Sequence, residues 1–391
     1  MFRRIGLRVF VCLFFVVAAA PARAGDVAEA LTTFAAAKVV IGQKNFTSGE
    51  CEQGANNPSA KSLCSPEAAV ALGKKVLYVP DSGNNRVLGF KKIPKKNGAS
   101  AKFVLGQTNF SKRNSGTSST LFRHPARVQT AGNQLFMADF QNSRVLIWNK
   151  LPTKTNTPAN VVVGQPNFSS SVEAATQSSL DRPENGLFVT NGKLIVSDTN
   201  NNRIMIWNSV PTTNGANADV VIGQPDFTSR GHAASDTALF IPEGIWSDGT
   251  RLVVADADNN RVLIWNSIPT TNGAPADVVV GQADFNSIDR PSPPTAQSLS
   301  FPFDVSSDGT RLYVDDLGNN RILVFNTFPT SNNPTADIVL GQADFTHGEG
   351  NGGNASPSAQ TLAAPFGMSL IGNQLVVNDF GNSRYLIFST K

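Results

Sequence analysis

Apolar residues in this chain fall in short runs, some alternating with polar residues and some continuous. The runs are rich in Val, Ile and aromatic side chains and are bounded by clusters of Gly, Asn, Asp and Pro. Such runs have the length and composition of β-strands, and no long helical period appears after the first two dozen residues. The pattern also repeats. One phrase reads "VVIGQKNFTS" (39–48), "FVLGQTNFSK" (103–112), "VVVGQPNFSS" (161–170), "VVIGQPDFTS" (220–229), "VVVGQADFNS" (278–287) and "IVLGQADFTH" (338–347). A second phrase lies between these copies, from "LYVPDSGNNRVLGF" (77–90) to "LVVNDFGNSRYLIF" (375–388), and both recur every 58 to 64 residues. Each unit reads as four short strands, the first following a proline at Pro66, Pro125, Pro183, Pro242, Pro302 or Pro365.

A four-stranded unit too small to bury its own faces must pack on its neighbours, so six in series predict an all-β fold, a six-bladed β-propeller. The chain after residue 24 begins with an outer-strand phrase and stops after the third strand of the sixth unit. The N-terminal strand is therefore expected to complete the last blade and close the ring, leaving no sheet edge open there.

The six copies of Asp-x-x-Asn-x-Arg before an apolar strand, such as Asp81/Asn84/Arg86 and Asp256/Asn259/Arg261, resemble the signature of NHL-repeat propellers. Units longer than that family's usual repeat and the added GQ phrase depart from it. The resemblance implies a six-bladed ring over residues 25–391 as one domain. Members include binding scaffolds, RNA binders and a few lyases, so it implies no single activity.

A residue present in every blade cannot create a unique site. Asp256, Asp258 and Asn259 resemble oxygen ligands of a calcium loop, yet the position of Asp258 holds Gly83, Gln141, Asn200, Gly318 and Gly381 elsewhere, which are turn formers. The repeated Asp, Asn and Arg are accordingly read as scaffold, with Arg reaching the Asp of its own turn or of a neighbouring blade. Trp148, Trp207 and Trp265 are read as packing aromatics, and the Asn or Asp of the GQ phrase as a local turn cap.

Function is then sought where blades disagree. Twelve residues before each turn Asp stand Ala69, Arg127, Gly186, Gly244, Asp304 and Gly367. Arg127 and Asp304 belong to opposite blades and are either a ligand-orienting pair at the channel mouth or two solvated or mutually paired channel residues. Glu184, Glu243 and Trp246 lie close by in sequence and suit a sugar or peptide ligand, the alternative for Trp246 being a packing role. His124, His232 and His347 all precede inner strands of alternate blades; converging, they could hold zinc, and otherwise they are surface residues. No nucleophile triad or phosphate loop is present.

Composition changes this picture in two ways. Residues 1–24 carry four arginines, an apolar run and a small-residue cleavage site, which predicts a secretory signal peptide and an exported protein, periplasmic or extracellular, with no membrane span. Without them the chain has 29 basic and 29 acidic residues, a balance that argues against nucleic acid as a partner. The small lysine cluster Lys91, Lys92, Lys95 and Lys96 is read as a solvated loop. Two cysteines remain, Cys51 and Cys64, which in an exported chain form one disulfide or, alternatively, two free thiols. The resulting expectation is a monomeric binding module for a protein, peptide or carbohydrate, acting through its loop-rich face and channel mouth, with no cofactor. The alternative is a metal-assisted lyase or hydrolase using zinc or calcium at that mouth. The longest incoming loops, 46–66 and 345–365, flank the closure blade.

Overall fold

The computed structural model describes residues 31–390 apart from Ala69 and Lys74; the expected signal peptide lies outside the described residues. Six antiparallel four-stranded sheets account for its strands. Blade four is representative, with Pro242–Ser247 innermost, then Leu252–Asp256, Arg261–Trp265 and Val278–Val280 at the rim. Each of six apolar clusters is filled by two adjacent blades, for example Val253 and Val262 of blade four against Val314 and Leu323 of blade five. The blades are thus held by mutual burial around a ring, as the repeat predicts. Inner strands begin at the incoming proline in four blades but later in blades one and three, at Ala71 and Leu187. In blade three the Asn185 N–H turns toward the Glu243 carboxylate, so the strand ladder starts beyond it.

The turn after each second strand shows why its sequence repeats. A short 3-10 turn ends in a left-handed residue, Asn85, Ser143, Asn202, Asn260, Asn320 or Ser383, with φ between 48° and 55°. Asn tolerates that geometry better than most residues with a Cβ, and here its amide ties neighbouring loops, Asn260 Nδ2 donating to the Ile288 carbonyl at 3.2 Å and Oδ1 accepting the Phe301 N–H at 3.0 Å. The Asp before the turn and the Arg after it form a fully buried ion pair in all six blades, Nε to Oδ2 at 2.6–2.8 Å. The other carboxylate oxygen accepts a backbone N–H from the incoming loop, such as that of Phe240 at 2.7 Å. The guanidinium donates onward, Arg261 Nη1 to the Phe285 carbonyl and Nη2 to those of Ser235 and Ala238. Arg pairs with the Asp of its own turn and ties the loops entering and leaving its blade. The buried charge is paired and multiply hydrogen-bonded, as burial requires.

The GQ phrase is framework as well. Its glycine has φ between 83° and 92°, and a Cβ there would lie 2.4–2.7 Å from Leu63, Phe122, Leu180, Leu239, Leu299 or Leu362. Its glutamine donates to the left-handed turn residue, Gln224 Nε2 to the Asn202 carbonyl at 2.9 Å. Asn45, Asn109, Asn167, Asp226, Asp284 and Asp344 cap the following turn, Asp226 accepting the Thr228 and Ser229 N–H groups at 2.8 Å.

Closure involves more than one strand. Val39–Ile41 pairs antiparallel with Arg384–Ser389, Val40 opposite Leu386. The segment before it also substitutes for a connection between third and fourth strands. In blade four that connection caps the exposed edge of blade three, Gly273 N–H to the Val221 carbonyl and Val221 N–H to Asn272 Oδ1. Phe34 and Thr33 make the same two bonds to Val339 of blade five. Rim edges are therefore covered throughout, which is how an all-β ring avoids edge-to-edge association.

Candidate functional site

Inner strands line the central channel, and there the blades differ. Arg127 of blade two crosses to Asp304 of blade five, Nη1 lying 2.8 and 2.7 Å from the two carboxylate oxygens. Both side chains are buried, 4% and 0% exposed, so the pair spans the channel interior rather than its mouth. The two residues are thus paired with each other, but the guanidinium is not fully satisfied. Nη1 also donates to Asn185 Oδ1 at 3.2 Å, and Asp304 accepts the N–H groups of Met368 and Val305 at 2.8 Å, but Arg127 Nε is buried with no partner. A guanidinium offers donors in a planar fork, and the edge carrying Nε is the one without a partner among the described residues.

On the incoming side of this pair stands a group of acids. Glu184 and Glu243 immediately follow their prolines, and Glu67 holds the same place in blade one. His124 Nε2 lies 2.7 Å from Glu67 Oε1, while the other Glu67 oxygen is buried without a partner. Burial, then the nearby Glu67, push the Glu184 carboxyl up to about 8. Burial and repulsion from Glu184 raise Glu243 well above the usual range, despite the Asn185 N–H. Burial and the Asp304 charge do the same to Asp315, whose Oδ1 has no partner. Like-charged carboxyls in a poorly hydrated space retain protons in this way.

On the other side, toward the hairpins joining first and second strands, the channel opens into a cavity of about 350 Å³. Arg127 is the sole charged residue among the described residues lining it. Phe188 and Trp246 contribute aromatic surface, and Gln129 and Ser306 contribute polar groups from opposite blades. Trp246 therefore belongs to this cavity, separated from Glu184 and Glu243 by the Arg127–Asp304 pair. One face of its environment is occupied by Phe328, at 5.8 Å between centroids, and by the Arg251 guanidinium. Ala69, in the equivalent position of blade one, lies outside the described residues.

The three histidines occupy separate settings. His124 bonds Glu67, His232 stacks on Phe240 at 3.9 Å, and His347 Nδ1 lies 2.7 Å from Asp344 in an exposed loop. Among the described residues no group of three or more His, Cys, Asp and Glu side chains is arranged to hold a metal. Cys51 and Cys64 form a disulfide. It pins the first long loop, and both long loops meet at blade six, where Asn382 Nδ2 donates to Asn351 Oδ1 at 2.8 Å and Cys51 Sγ lies 3.6 Å from Ser383 Oγ. No helix among the described residues is long and apolar enough to cross a membrane.

Glu67, Asn185, Gln129, Ser306 and Phe188 were not among the residues selected from sequence. One signal was present for the first of them: Glu follows the incoming proline at Pro66, Pro183 and Pro242, whereas Ala or Phe follows it in the other blades. The cavity residues come from different blades and acquire a common address only through ring closure.

No family model matches the chain, and no curated protein matches it. Among solved structures, it is similar to a chain in a nidogen/laminin complex at 16% identity, covering 70% of this chain and 83% of that one, with a TM-score of 0.37. It is similar to virginiamycin B lyase from Staphylococcus aureus at 11% identity, covering 83% and 94%, with a TM-score of 0.43. A computationally designed protein is similar at 10% identity, covering 91% and 100%, with a TM-score of 0.42. The six-bladed architecture itself rests on the strand pairing described above.

Proposed function

We propose that this protein is an exported, NHL-like binding module whose ligand seat is the central channel on the hairpin side. The observation that carries this reading is the unpartnered Nε edge of Arg127 beside a cavity of about 350 Å³. A buried donor without a partner costs about 1–3 kcal/mol, and a ligand oxygen placed on it recovers much of that. The mixture of aromatic surface with a few convergent polar groups is that of a small-ligand site. A peptide side chain, a peptide terminus or a single sugar fits the volume. The separate settings of the three histidines favour binding over a metal-assisted lyase or hydrolase.

The test is calorimetric titration of the purified protein with a panel of short peptides and neutral and acidic monosaccharides, repeated on Gln129→Trp, which fills the cavity from its partly exposed wall. Binding by the parent chain that disappears in the filled variant, at unchanged melting temperature, is the expected result. Equal binding by both proteins would sink the channel as the seat.

A further inference from the structure

The balanced charge of the chain conceals a strongly uneven distribution. Between Asp81 and Glu173 there is one acidic residue, Asp139, and it is buried against Arg144. In the antiparallel blades, the hairpins joining strands one and two lie at the same end as the connections between strands three and four. Blade one carries Lys75, Lys91, Lys92, Lys95, Lys96 and Lys102 at that end, and blade two adds Lys150 and Lys154. All eight are exposed, and none forms an ion pair among the described residues.

Two of these lysines replace scaffold residues. In blades two to five the residue after the third strand is Asn149, Asn208, Asn266 or Asn326, and its N–H donates to Asn160, Asp219, Asp277 or Asp337 at 2.7–2.9 Å. Blade one has Lys91 at the first position and Lys102 at the second. It has exchanged an acceptor that stabilises the connection for a cation that cannot accept, as the closure blade also has at Lys38, but only blade one adds four further lysines in the connection. The same connection forms a groove of about 640 Å³, with Phe90, Pro94 and Ala99 among its walls and five of the lysines around it.

We infer that this groove on blade one, continued onto blade two, is a docking surface for a linear acidic polysaccharide. A uronic-acid chain presents apolar ring faces and carboxylates along its edges, matching an apolar trough bordered by ammonium groups. Lysines supply point charges suited to such spaced carboxylates. A flat anionic bilayer fits a concave groove poorly, and the large apolar side chains exposed on the described surface, Val172 and Ile288, lie in incoming loops at the opposite end. Single-stranded nucleic acid is served by successive aromatic platforms, whereas Phe90 is the one aromatic residue among the described walls of this groove.

Binding of the full mature chain to polygalacturonate, followed at low and at raised salt, tests this surface. The expected result is salt-sensitive binding that weakens about tenfold or more in the Lys91→Glu, Lys92→Glu, Lys95→Glu, Lys96→Glu variant, a loss of about 1.4 kcal/mol or more. Lys102→Asp restores the missing acceptor, so it should raise the melting temperature while weakening binding; this separates loss of docking from loss of fold. Equal binding by parent and charge-reversed chains would overturn the inference. So would tighter binding to phosphatidylglycerol vesicles or to a single-stranded oligonucleotide than to polygalacturonate. Gln129→Trp leaves this groove untouched, so failure here and failure of the channel reading are distinguishable.

Discussion

At Asp256 the carboxylate receives the Phe240 N–H, the Asn259 amide and the Arg261 guanidinium, whereas Asp258, two residues later, is partly exposed and forms no comparable hub. Asp256→Ala leaves Arg261 buried and unpaired, and should cost about 3–5 kcal/mol in urea unfolding. Asp258→Ala should stay within about 0.5 kcal/mol. A comparable loss at both would mean that Asp258 has a role beyond the turn. The channel acids act oppositely to the usual stabilising carboxylate. Glu184 is raised from 4.5 to about 8, and Glu243 is raised in the same direction, so between those pH values the folded chain holds protons that the unfolded chain has released. Their contribution is fully present below pH 4.5 and is lost as pH rises through about 8. Neighbouring Glu67 and Asp304 further oppose ionisation of Glu243, while the Asn185 N–H favours it and Arg182 favours that of Glu184. Glu243→Gln should flatten the fall in melting temperature across that range; an unchanged pH profile would remove these acids from the account.

At the scale of elements, the closure blade differs most from its neighbours because it is built from both ends of the chain. Residues 31–41 supply its outer strand and also the cap on blade five, through Phe34 and Thr33. A chain beginning at Gly42 would expose the edge of Arg384–Ser389 and uncover that of Ile338–Leu340. It should lose cooperative thermal unfolding and associate, as open edges do, and a peptide covering residues 31–41 added in trans should restore both. Retention of a sharp monomeric transition by the shortened chain would show that the disulfide-pinned loop and the remaining blade contacts suffice for closure.

Across the whole molecule, Arg127 and Asp304 join blades two and five, so their coupling reports ring integrity rather than a local contact. Arg127→Met alone should cost about 3–5 kcal/mol, because it strands a buried Asp304; adding Asp304→Leu should recover most of that. Additive losses in urea unfolding would argue that the two act independently. Blade number, strand order, closure and the disulfide were legible in the sequence, because each follows from local periodicity repeated six times or, for Cys51 and Cys64, from the only two cysteines left after residue 24. The unlike residues Arg127 and Asp304 were also visible as exceptions in register. Their depth, the choice of mutual pairing over solvation and the unpartnered Nε were not, since side-chain reach across a channel depends on its width and on what Asn185 and the main-chain donors already satisfy. Whether His124, His232 and His347 converge or stay apart was undecidable for the same reason: equal spacing along a repeat assigns blades, but each imidazole is drawn to the nearest partner in its own loop or the adjoining blade. Chain periodicity alone determined the ring. Tertiary structure decided which exceptions meet at its axis and which lysines share one rim, because those distances exist only once the sheets are packed.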